Sequence, residues 1–99
     1  MLLEEMNDRI DGHYNDLVAW VPDFKMRDEL EEWLNQSLGD AGEMAKEAYR
    51  EFLLGDDEKA FDWMCRAAAQ SRVCAVALTR FRHGLGKEWP AGKNQKERK

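Results

Sequence analysis

The residues best placed to do chemistry are His13 and Asp16. Three apart, they share a helix face, and a carboxylate beside an imidazole can poise the ring as a general base. The same stretch, Asp11-Gly12-His13-Tyr14-Asn15-Asp16, also reads as an imidazole on an acidic helix surface, and that plainer reading is preferred. His83 ends the basic run Arg80-Phe81-Arg82-His83, where positive charge complements the C-terminal end of a helix dipole. Ser37 and Ser71 have no His and acid in local sequence. Cys65 and Cys74 lie nine residues apart in one expected helix, roughly 13 Å along its axis, so they cannot bridge each other. With apolar neighbours they read as buried thiols, which fits a reducing cytoplasm. The chain has no Cys-x-x-Cys, His-Glu-x-x-His or Glu-x-x-His pattern, and Gly84 and Gly86 follow a helix instead of opening one. The expectation is a protein that is not an enzyme and takes no metal or cofactor.

Four helical segments are expected to position these residues in one all-α domain over residues 1–86, followed by a flexible basic tail over 87–99. In about 2–21, Leu3, Met6, Ile10, Tyr14, Leu17 and Val21 form a stripe, which Pro22 ends. In about 24–38 the stripe is Met26, Leu30, Trp33, Leu34 and Leu38, with Asp23 as cap and Gly39 as stop. In about 41–54, Asp40 and Glu43 suggest a capping box ahead of Ala41, Ala45, Ala48 and Phe52. The last and longest segment, about 57–84, starts from Asp56. It carries Ala60, Met64, Ala67, Ser71, Cys74, Leu78, Phe81 and Leu85 at alternating steps of four and three, a heptad seam. Off-seam residues between 67 and 78 are also mostly small or apolar. A helix apolar on most sides is a central one, or one with a second surface for a partner.

The stretch from Ala48 through Gly55-Asp56 to Ala60 and Ala67 resembles a tetratricopeptide-type hairpin over about 25 residues. Glu47 and Glu51 stand where that repeat takes apolar side chains, and the chain holds no second copy. The stretch is therefore read as an ordinary αα-hairpin, with no family implied.

The charge is sorted along the chain. Residues 1–62 hold 18 acids against 6 bases, and residues 63–99 hold 2 acids against 9 bases, within a total of −5. Such asymmetry points to binding. Trp20, Trp33 and Trp63 sit near apolar stripes and are expected in the core. Trp89, beside Pro90, either caps the domain or docks on a partner. The last helix interleaves Arg66, Arg72, Arg80, His83 and Lys87 with Ala69, Val73 and Val76. The expected partner-binding set is Arg66, Arg72, Val73, Val76, Arg80, Arg82, His83, Lys87 and Trp89.

The function expected from these features is that of a small soluble interaction protein, a regulator, adaptor or inhibitor of phage or mobile-element type. It would act by occupying a macromolecular surface, most simply that of another protein. One alternative is nucleic-acid binding through the basic helix end and tail. Another is an acidic nucleic-acid mimic that occupies the groove of a nucleic-acid-binding protein. A third reading pairs the charges with each other: the basic helix packs near the acidic ones, or one copy's basic face meets another copy's acidic face. Monomer and homodimer are both allowed. The N-terminus lacks a signal-peptide pattern, and no apolar run approaches the ~20 residues of a membrane span.

Overall fold

The computed structural model describes residues 3–84. These form three α-helices: α1 (Leu3–Val18), α2 (Arg27–Leu53) and α3 (Asp57–Gly84). The expected four-helix domain is thereby corrected to three, because the second and third segments are one helix of 27 residues. Phase explains the continuity. Leu30, Leu34, Ser37, Ala41, Ala45 and Ala48 advance by three or four residues straight through Gly39-Asp40-Ala41-Gly42. Continuing the helix keeps this whole face on α3, whereas a break would turn half of it away. That common face offsets the two interior glycines, which cost about 1 kcal/mol each relative to Ala. Asp40, expected as a cap, accepts a hydrogen bond from Gln36 one turn earlier at 3.3 Å.

The true ends of α2 and α3 carry their own chemistry. The Glu29 carboxylate accepts the backbone N–H groups of Met26 and Lys25 at 3.2 and 3.1 Å, the reach-back of a capping box, so the cap is not at Asp23. At the other end, Gly55 at φ 88° is the one positive-φ residue among those described. It lets Asp56 N–H reach Glu51 O at 2.9 Å and Gly55 N–H reach Phe52 O at 3.0 Å, a Schellman turn. Asp56 Oδ1 then accepts Lys59 N–H at 3.0 Å and caps α3. The αα-hairpin read from the sequence is present.

α3 is the central element: α1 and α2 each pack on it and not on each other. The ties Arg9–Glu58 and Asp11–Arg72 show that α1 runs parallel to α3, while the hairpin makes α2 antiparallel to it. Flanked on two sides, α3 buries a broad arc and not one seam: Ala60, Cys65, Ala69, Gln70, Val73, Cys74, Ala77 and Phe81. Met64 and Ser71, assigned to the seam, face solvent.

The large buried side chains gather at one end of the molecule. Leu30 and Phe81 meet over Ala77, with Val21, Phe24, Trp33, Leu34 and Leu78 against them. The Phe24 and Trp33 rings pack tilted, 5.5 Å between centroids. Trp33 is therefore half-buried beside this core and Trp63 is half-buried elsewhere, but Trp20 is 83% exposed. The helix has ended at Val18, and the turn bonded from Trp20 N–H to Leu17 O carries that indole outward. Among the described residues no helix is long and apolar enough to cross a membrane.

Candidate interaction surface

At the hairpin end the usual order of side chains is inverted. Ala48 and Ala60 are buried between α2 and α3, while Tyr49, Phe52, Leu53, Leu54 and Met64 are all more than half exposed. The sequence causes this directly. Small residues on the contact face draw the two helices together, and the bulky ones fall to one side of it, Phe52 and Met64 about 40° and Tyr49 about 100° around the helix from the buried alanines. Between them lies an open groove of about 460 Å³ lined by Ala45, Ala48, Tyr49, Phe52, Asp57, Ala60, Phe61 and Met64. Asp57 is its only charged lining residue. Beyond the groove, the solvent side of α3 continues through Ala68, Ser71, Ala75 and Thr79, all exposed and uncharged. An outward helix face in water normally carries charge, so this one has the composition of a covered face.

A polar network ties α1 to the other flank of α3. The Asp62 carboxylate accepts from His13 Nε2 at 3.1 Å and from Arg66 Nε at 2.9 Å, and Arg9 Nη1 stands 3.6 Å away while donating to Glu58 at 3.1 Å. Because the ionised carboxylate only accepts, His13 carries its proton on Nε2. Burial works against the charge on Asp62, but the hydrogen bonds and charges of His13 and Arg66 outweigh it and hold the carboxyl below its usual range. The unfolded chain then binds the proton more tightly than the folded one. The stabilisation from Asp62 is complete above pH ~4, the ordinary carboxylate value, and is lost as pH falls through the depressed folded value. Asp62→Asn should cost about 1 kcal/mol at pH 7 and flatten the decline of stability as pH falls below ~4. Urea unfolding of both proteins across that range checks it; parallel pH curves would refute it.

The expected partner-binding residues do not form one free face. Val73 is 1% exposed, in the core. Arg66 bonds Asp62 and lies over the Trp63 ring at 4.8 Å. Arg72 bonds Asp11 at 2.7 Å and covers Tyr14 at 5.1 Å, so it joins α1 to α3, as the charge-pairing reading expects within one chain. Val76 and Arg82 are half-buried, while Arg80 and His83 are exposed. Lys87 and Trp89, and the tail expected over 87–99, lie outside the described residues.

His13 is joined to Asp62 across the helix interface and not to Asp16. The two partners are 49 residues apart, and nothing local signals the pairing. Both thiols are buried, and that burial raises their pKa. Ser37, itself buried, pulls the Cys74 value the other way without outweighing burial. Thiols held neutral and covered in this way are poor nucleophiles. Among the described residues no group of three or more His, Cys, Asp and Glu is arranged to hold a metal ion. The groove residues Phe52 and Met64 escape a reading of the sequence as surface because each falls on an inward stripe with the alanines.

No protein-family model matches the chain, and neither the curated proteins nor the solved structures contain one that matches it.

Proposed function

We propose that this chain is a small helical interaction protein, a regulator, adaptor or inhibitor, that acts through the apolar hairpin-end face and not through catalysis. The inverted hairpin end carries this reading: alanines inside, with Tyr49, Phe52, Leu53 and Met64 outside. Exposed apolar clusters of this kind mark interaction sites. Nucleic-acid binding is less well supported. Arg66 and Arg72 hold contacts within the domain, and the apolar groove offers nothing to phosphate. Two buried thiols fit a cytoplasmic setting.

The test is site-specific photo-crosslinking in a native lysate, with the reactive group placed at Phe52, at Tyr49 or, as control, at Asp8 on the exposed side of α1. The expected result is a discrete cross-linked polypeptide at the two hairpin positions, at least tenfold above the control. Equal yields at all three positions would overturn the reading. Cross-linking to nucleic acid, with affinity falling steeply in salt, would replace it.

A further inference from the structure

We propose that the occupant of the hairpin-end face is a second copy of the chain, which completes a four-helix core from α2 and α3 of each subunit. This rests on the reading of that face as an interaction surface and names its partner.

The first argument is self-complementarity. The face carries both protrusions and a recess: Tyr49, Phe52 and Met64 stand beside a groove floored by Ala45, Ala48 and Ala60. A two-fold axis along the groove sets α2 of one subunit against α3 of its partner. Because α2 and α3 are antiparallel within a subunit, each new neighbour is antiparallel too, the ordinary arrangement of a four-helix bundle. The knobs of each copy then enter the recess of the other. Alanines at the recess and Ala68, Ser71 and Ala75 further along α3 permit close approach of the backbones.

Charge does not bar an identical partner. Most of the chain's acidic faces would repel their own copies, but along this edge Lys46 pairs with Glu43 at 3.6 Å and Arg50 with Glu47 at 2.9 Å, and Asp57 is the one charge lining the groove. Area agrees as well. Burying an aromatic side chain removes ~150–250 Å² from water. The still-exposed parts of Tyr49, Phe52 and Met64, 55–64% of each residue, supply roughly half of the ~800 Å² per partner of a standard interface, and the exposed Leu53, Leu54, Ala68, Ser71 and Ala75 extend the uncharged surface beside them.

The experiment is sedimentation equilibrium of the full chain from 1 to 500 µM, with Phe52→Asp and Met64→Asp alongside and far-UV circular dichroism as the fold control. The wild type should approach twice its 11.5 kDa mass as concentration rises. Each variant should keep its helix content, since Phe52 and Met64 are 60% and 55% exposed, and weaken association at least about 100-fold, as expected for a central contact residue. If either aspartate unfolds the chain, Tyr49→Ser supplies the same readout. A wild type that stays at 11.5 kDa up to 500 µM overturns the proposal, as does a dimer that every variant leaves intact. A monomeric chain whose Phe52 position still cross-links a foreign polypeptide would overturn the second copy while sustaining the interaction surface. A monomer with no preferred cross-link would overturn both.

Discussion

Val73→Asp should leave the domain unfolded, or destabilised by about 4 kcal/mol or more. Val73 is the largest fully buried side chain among the described residues, 1% exposed, and it sits where α3 is flanked by both other helices. Losing its burial costs about 1.5–3 kcal/mol. The carboxylate that replaces it either stays charged in an apolar site or takes up a proton, and each adds further cost. A domain of this size has only ~5–15 kcal/mol of net stability. The comparison is Arg80→Ala, seven residues on and exposed, which should remain within about 0.5 kcal/mol of wild type. Urea denaturation followed by circular dichroism measures both. If Val73 instead lay on an outer face, as its place between Arg66, Arg72 and Arg80 suggests in sequence, the aspartate would be nearly silent. That result would overturn the packing described for α3.

The contrast shows which physical information a single sequence holds. α1, the hairpin turn and the start of α3 are legible because their signals are local: an unbroken stripe, a Gly at the left-handed position, an Asp in capping range. The phase of α3 was not. With Ala, Cys and Val on most sides between 67 and 78, several arcs of the helix are apolar enough to be the inward one. The choice is made by where α1 and α2 lie, which no residue of α3 encodes alone. The junction at Gly39–Gly42 failed for a related reason. Gly, Asp and Glu there give every local sign of a helix boundary, and only the shared face against α3 holds the helix through it. Asp62 shows a third limit. Its link to Arg66 is one turn long and could be read from spacing, whereas His13 and Arg9 arrive from 49 and 53 residues away. The sorted charge turns out to be partly consumed within the fold, through Arg72 on Asp11, so its value for locating a partner is smaller than the residue counts suggest.

Two phenylalanines separate the two ends of the molecule. Phe81 is 9% exposed and belongs to the large-residue core with Leu30 and Ala77; Phe52 is 60% exposed on the hairpin end. Phe81→Ala removes a buried ring and leaves a cavity whose walls are Phe24, Trp33, Leu34 and Leu78 side chains already committed to one another. The expected loss is about 3–4 kcal/mol, a large fraction of the total for a core with few large side chains. Phe52→Ala removes a ring that its own chain leaves 60% exposed. At concentrations low enough to keep the chain monomeric, it should cost only about 1–2 kcal/mol, from the part of the ring that its own chain covers. At high concentration the wild type should gain stability by mass action on the dimer, and Phe52→Ala should not. Unfolding curves at 1 and 200 µM for the three proteins therefore report two different things. The Phe81 loss is the same at both concentrations, while the Phe52 loss is larger at the higher one. A Phe52→Ala protein that is destabilised by several kcal/mol even at 1 µM would mean that the ring is enclosed within its own chain, and the hairpin end would then be a closed core and not a contact surface.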